Sequence, residues 1–348
     1  MAFMDRRTFL ARGAAAGAVA AGWPLAVATG EETMDCDAFR ARQRERRKEL
    51  WGLLGELPEK KPPQARLLRT EQRDGYRLEH LELELNGLQP VPALMLVPDK
   101  VKAPAPAMLY LHWHGGDYPV GRRELLEGTK VMPAYAPVYA EKGIVTLAID
   151  SWCFGGRMPW PEDGGRGEAD TFKEMLWKGR VLFGMMLFDE WQALNYLCSR
   201  PEVDPARIGA FGISMGATKA WWLAALDERI SCCIDLCCLT DFDALIEEKG
   251  LKGHGIYYYV PELLKHFTTS QINELIVPRA HLSLNGREDK LTPPSGVERV
   301  RDHLAPLYAA CGRAEDCRIE LFDCGHKELP EMRELVLAWL DRHLVGKA

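Results

Sequence analysis

Six short apolar runs, separated mostly by segments of helical pattern, constrain what this chain can fold into. They are Ala107–Leu111, Ile144–Ile149, Ile208–Phe211, Ile230–Leu236, His281–Leu284 and Arg318–Phe322. The helical segments include Phe188–Ser199, Gly216–Leu226, Gly296–Ala310 and Pro330–Leu344. A strand that is apolar along its whole length is buried on both faces. Short strands of that kind alternating with helices make a parallel sheet covered on both sides, an α/β fold. Three further strands are expected ahead of them, near Ala65–Glu71, Tyr76–Leu85 and Val91–Pro98. Tyr76–Leu85 alternates with period two, as a half-exposed antiparallel strand does, so this group belongs at one edge of the sheet. A helix is expected over Cys36–Leu57, ended by Lys60-Lys61-Pro62-Pro63. The chain then divides into 1–28, a helix and linker at 29–64, and the main α/β domain at 65–348. Connections at 153–185 and 239–278 exceed ordinary loop lengths and read as insertions that form a cap or shape a substrate site.

The chain has 348 residues and is 47% hydrophobic, enough for a large core without disulfide support. Its formal charge is −6, with no dominant basic patch, which argues against nucleic acid as the main partner. The N-terminus reads Asp5-Arg6-Arg7-Thr8-Phe9-Leu10 followed by an Ala/Gly-rich apolar run to Ala28. Two adjacent arginines, a Phe-Leu pair and a mildly apolar stretch have the form of a twin-arginine export signal, and Ala26-Val27-Ala28 offers a cleavage site. The run is too short and too rich in glycine for a comfortable membrane span. The expected mature protein is periplasmic or secreted and not membrane-inserted. Of the ten cysteines, Cys232, Cys233, Cys237 and Cys238 fall in an apolar strand-like stretch. Most are expected as buried thiols, with room for one or two bridges.

The chemistry is concentrated in Gly212-Ile213-Ser214-Met215-Gly216, which follows one apolar strand and precedes a helix. A tight strand-to-helix turn of this kind holds a serine hydroxyl out at the C-terminal edge of a sheet. Small residues two positions before and after the serine let strand and helix approach. The helix N-terminus favours negative charge developing during attack. Ser214 is thus the candidate nucleophile.

A serine hydroxyl needs a base. Of nine histidines, His326 lies just past the last apolar strand and before the final helix, in the order Ser…Asp…His. His281 and His343 read as packing or surface residues. The acid that orients the imidazole is expected at Asp289, directly after His281–Leu284. Asp241 and Asp243, after the preceding strand, are the other candidates; Asp323 is too near His326 in sequence.

An oxyanion needs two backbone N–H donors. Met215 offers one. The loop His112-Trp113-His114-Gly115-Gly116-Asp117 offers the other, from His114, Gly115 or Gly116, the register being open. Histidines at i and i+2 also suit a metal, but no carboxylate or thiol completes such a set nearby in sequence.

Together these pieces resemble the α/β-hydrolase superfamily over roughly residues 65–345, on its dienelactone-hydrolase and acetyl-xylan-esterase side. The extra N-terminal strands and the Val203-Asp204-Pro205-Ala206-Arg207-Ile208 lead-in carry that part of the resemblance. The chain departs from dienelactone hydrolases, which use cysteine where Ser214 stands, and has no room for the propeller of oligopeptidases. The resemblance implies cleavage of carboxylic esters through an acyl-enzyme, with no metal or organic cofactor. A small acyl-peptidase or lipase-like hydrolase is the alternative within enzymes. The complete Ser214, Asp289 and His326 set argues against a mere binding protein.

The expected partner is a small-molecule or glycan ester with a short acyl group. Trp113 and Trp152, with Trp160 beyond, are placed to wall the cleft, since ligands bind at strand C-terminal ends in such sheets. Arg157 is expected in a structural ion pair, with a substrate carboxylate as the alternative partner. His254, Tyr257, Tyr258 and Tyr259 give the second insertion aromatic rings with polar tips, suited to amphipathic ligands.

Overall fold

The computed structural model describes residues 36–101 and 104–346. The export signal and the cleavage site at 26–28 lie outside the described residues. The chain begins with helix α1 (Cys36–Gly52), shorter than the expected Cys36–Leu57, because a turn and a bridge from Gly55 to Arg180 take over after Gly52. Three strands follow, β1 (Gln64–Arg73), β2 (Tyr76–Glu84) and β3 (Val91–Pro98), paired antiparallel in that order. β1 is exposed along nearly all its length, as an edge strand is, whereas β2 alternates between buried and partly buried positions.

The remaining elements alternate. β4 (Ala105–Leu111) leads through the short helices α2 (Glu124–Glu127) and α3 (Ala136–Glu141) to β5 (Val145–Ile149). Helices α4 (Gly164–Trp177) and α5 (Leu182–Ser199) precede β6 (Val203–Ile213), which turns into α6 (Met215–Leu226) and then β7 (Ile230–Leu236). The second insertion carries α7 (Phe242–Glu247), α8 (Leu263–His266) and α9 (Thr269–Glu274) before β8 (Ala280–Gly286). The chain ends with α10 (Pro294–Ala310), β9 (Cys317–Phe322) and α11 (Pro330–Leu340). Both long connections are therefore partly helical rather than open loop.

The nine strands form one sheet in the order β1-β2-β3-β5-β4-β6-β7-β8-β9, parallel from β5 to β9. β4, β5 and β8 are buried at every residue; β4 and β5 accordingly read as nearly unbroken apolar runs, while β8 also buries His281, Ser283 and Asn285. One core packs α5, α6 and α10 against one face; the other packs Tyr135 and Tyr139 with α11 against the opposite face. From β4 the chain moves outward to β5 and then returns on the other side of β4 to form β6. Strand order reverses there, so the C-terminal ends of β4 and β6 open a crevice where ligands bind in sheets of this type.

Side chains from α1 close the far end of α6. Arg47 Nε donates to Ala225 O at 2.7 Å and Trp51 Nε1 to Leu226 O at 3.3 Å, while Arg279 donates to Ala224 O at 2.6 Å. The nine cysteines from Cys153 to Cys324 form no disulfide with one another. Cys237 and Cys238, expected within a strand, lie past its end at Leu236.

Candidate active site

β6 ends at Ile213 and α6 starts at Met215, leaving Ser214 alone at the corner with φ 59° and ψ −121°. A non-glycine residue in that region is strained and persists only where its surroundings impose it. The surroundings are visible. Ser214 N–H donates to Leu236 O at 3.0 Å. A methyl group on Gly216 would overlap the carbonyl oxygen of Leu111, and one on Gly212 would overlap the backbone of Gly216. The two glycines thus let β4, β6 and α6 meet closely enough to force the turn.

Asp289 follows β8 and His326 follows β9, so adjacent parallel strands deliver both to the same edge. His326 Nδ1 donates to Asp289 Oδ2 at 2.7 Å. Asp289 is buried, and its other oxygen accepts Leu291 N–H at 2.9 Å. With Nδ1 carrying the proton, Nε2 is left with its lone pair. The other acids do different work. Asp241 caps α7 by accepting Ala244 N–H at 2.9 Å and pairs with Arg299 at 2.9 Å; Asp323 is exposed and pairs with Arg287.

Ser214 and His326 line one cavity of about 500 Å³, walled by Trp113, His114, Tyr257 and Leu291. Of the expected aromatic walls, Trp113 is in place. Trp152 is not: it packs into the core with the Arg157 guanidinium 4.6 Å over its ring, and Arg157 is itself held by buried Asp189 at 2.7 Å. Trp160 is exposed and covered by Arg166. Both belong to the loop after β5, which folds over itself around this ion pair. His254 and Tyr257 reach the cavity from the second insertion, whereas Tyr258 and Tyr259 line a separate apolar groove.

Hydrogen bonding narrows the oxyanion register. Trp113 N–H is taken by Glu124 Oε2 at 2.7 Å, Gly116 N–H by His114 Nδ1 at 3.1 Å and Asp117 N–H by His114 O at 3.0 Å. His114 N–H and Gly115 N–H are left without an acceptor among the described residues. Gly115 has φ +55° against the Trp113 ring, where a side chain would collide. Met215 N–H, in the first turn of α6, also lacks an intrahelical partner.

The two histidines of this loop are committed elsewhere. His112 is buried: its Nδ1 donates to Trp113 O at 2.7 Å and its Nε2 accepts Ser151 N–H at 3.0 Å. Burial, with Lys219 nearby, pushes its pKa well below the ordinary value, so it is neutral. His114 Nε2 donates to Glu168 at 3.1 Å, and Tyr118 OH donates to the same carboxylate at 2.9 Å. Glu124 also accepts from Tyr110 OH at 2.9 Å, and burial pushes its pKa up to about 8. Behind the elbow, Lys219 Nζ contacts Ser151 Oγ at 2.6 Å and Glu190 at 2.9 Å, all buried. Glu124, Glu168 and the Lys219–Glu190 pair carry no motif in the sequence; only the fold brings them to the site.

A serine on a strained strand-to-helix turn, with an Asp–His pair delivered by the next strands, defines an α/β-hydrolase. Residues 19–292 match the Abhydrolase family, and the chain belongs to it. It is 44% identical over 302 residues to YtaP of Bacillus subtilis (strain 168), which carries the name of a hydrolase; the alignment covers 86% of this chain and 99% of that one. The glucuronoyl esterase from Solibacter usitatus shares the fold with a TM-score of 0.64 at 14% identity, covering 88% of this chain and 93% of that one. The acetyl xylan esterase from Paenibacillus sp. R4 does so with a TM-score of 0.54 at 20% identity, covering 90% and 97%.

Proposed function

We propose that the protein is a serine-dependent carboxylic ester hydrolase acting on short acyl esters through an acyl-enzyme. His326 Nε2 takes the proton of Ser214 Oγ as that oxygen bonds to the ester carbonyl carbon. The oxyanion is held by Met215 N–H together with His114 or Gly115 N–H. His326 then gives the proton to the departing alkoxide. A water molecule, activated by the same histidine, releases the acid and restores Ser214. Asp289 keeps the imidazole in the required tautomer and stabilises its charged form. The observation that carries this reading is the Asp289–His326 bond beside a serine in a strained backbone conformation, with His326 and Ser214 on one cavity.

Acetylated or otherwise esterified sugars fit the reading: the solved structures that share the fold include esterases of such names, and the cavity is moderate in size. Each added methylene gains about 0.8 kcal/mol only where an apolar wall receives it. The activity is expected to peak between acetyl and butyryl esters and to fall by octanoyl. We place the enzyme outside the cytoplasm on the strength of the Arg6-Arg7 signal; among the described residues no helix is long and apolar enough to cross a membrane.

Two measurements test this. A fluorophosphonate probe and a 4-nitrophenyl ester series should show labelling and turnover that Ser214→Ala abolishes, with the folded state intact. Normal turnover in a folded Ser214→Ala protein removes the serine mechanism, and rising kcat/KM out to decanoyl replaces the short-acyl reading by a lipase-like one. Sequencing of mature protein should begin near Thr29; a chain starting at Met1 or Ala2 removes the export reading.

A further inference from the structure

The charge of the cavity is one-sided. Its lining contains Lys130 and the histidines His114, His254 and His326, and no carboxylate among the described residues. The acids nearest to it are spent on the protein: Asp289 on His326, Glu168 on His114 and Tyr118. Lys130 lies on the wall beside Val131, with its ammonium 5.9 Å from the centre of the Trp113 ring. It is exposed and has no anionic partner among the described residues. Lys252, Lys290 and Lys327 are likewise exposed and unpaired, and each adjoins a lining residue in sequence, Gly253, Leu291 and His326. The exposed acids within three residues of a lining residue are Asp117, Glu127, Glu288 and Asp323, of which Glu127 pairs with Arg123 and Asp323 with Arg287. This stands out in a chain whose formal charge is −6. A cleft with one sign of charge and apolar walls concentrates ligands of the other sign.

We propose that the esters this site accepts carry a negative charge, and that Lys130 is the residue that binds it. The inference rests on the ester-hydrolase reading and adds the substrate class: a carboxylate-bearing ester, such as an acidic sugar ester or the half-ester of a dicarboxylic acid. The scissile carbonyl sits at Ser214 while the anionic group faces Lys130 across the Trp113 wall. The neutral part of the ligand rests against Trp113, Val131 and Leu291.

The test uses two matched ester pairs that place the charge on either side of the scissile bond. One is 4-acetoxybenzoate against 4-acetoxybenzamide; the other is 4-nitrophenyl hydrogen adipate against its methyl ester. The quantity read is the anionic-to-neutral ratio of kcat/KM, compared between proteins so that intrinsic reactivity cancels. In at least one pair Lys130→Gln should lower the ratio by roughly fivefold to tenfold, and Lys130→Glu should lower it further. Sodium chloride at about 0.5 M should erode the wild-type ratio by screening. A ratio that Lys130→Glu leaves unmoved in both pairs overturns the proposal, while turnover of 4-nitrophenyl acetate leaves the esterase reading standing. No turnover of that ester and no labelling of Ser214 overturns both.

Discussion

The carboxyl group of Glu124, fully buried, holds the backbone N–H of Trp113 at 2.7 Å. It thereby fixes the first residue after the one that follows β4, and with it the direction of the loop that carries His114 and Gly115. Burial pushes the Glu124 pKa up to about 8. The folded protein thus keeps a proton that the unfolded chain gives up near pH 4.5, so raising the pH towards 8 favours unfolding. Above about pH 7 the imidazole of His112 is neutral in both states and adds no slope of its own. Between pH 7 and 8 the urea stability of the wild type should fall by on the order of 1 kcal/mol, and Glu124→Gln should flatten that fall. An equally steep fall in the variant assigns the slope to another group.

Glu168 restrains the same loop from the other side, through His114 Nε2 and Tyr118 OH. It is a positioning residue. Glu168→Ala should lower kcat by roughly tenfold to a hundredfold with KM little changed, because a small displacement of the oxyanion donors weakens only the transition state. Glu168→Gln, which keeps an acceptor, should recover most of the loss. A rise in KM with normal kcat shows that the residue serves ground-state binding instead.

Asp289→Asn should lower kcat by about 10³–10⁴-fold, since an amide in that place no longer fixes the tautomer of His326. Steady-state kinetics of Asp289→Asn beside Asp241→Asn decides the matter. Asp241 caps α7 and pairs with Arg299, so its substitution should reduce stability more than turnover.

Lys219 and Glu190 are both buried, at 2.9 Å from each other. Lys219→Met leaves a carboxylate without its cation and should cost about 3–5 kcal/mol in denaturant unfolding. The double variant Lys219→Met with Glu190→Leu should regain most of that loss. A single variant as stable as the wild type shows that Glu190 takes up a proton in the folded state at little cost.

The parallel sheet and the turn at Ser214 were legible because both rest on local rules. Strands buried on both faces are mostly apolar, and the elbow needs glycine at Gly212 and Gly216, where any side chain would collide. That Asp289 and His326 would meet was legible from chain order. The walls were not. Trp152 sits one residue past Ser151 at a strand end, yet the buried Arg157–Asp189 pair turns its ring into the core, and no pattern couples positions so far apart in sequence. Glu124 and Glu168 carry no signal in the sequence for the same reason. Their partners, Trp113 N–H, Tyr110 OH and His114, are contributed by the folded loop. The strand-like reading of the stretch from Cys232 to Cys238 fails at Cys237, whose φ of +53° bends the chain out of the strand, and Cys238 lines the cavity.

The helix that starts beside Ser214 stops against cations. α6 has 12 residues and so spans about 18 Å from Met215 to the carbonyls held by Arg47, Trp51 and Arg279. Positive charge at its C-terminal end is aligned with the helix dipole, and the donors there immobilise carbonyls that would otherwise move with solvent. Arg47 and Trp51 come from the helix before the first strand. A segment remote from Ser214 in sequence therefore steadies the axis on which Met215, the donor in the proposed mechanism, is mounted. A protease that removed residues up to β1 would spare every group that touches an ester and still loosen the far bearing of that axis.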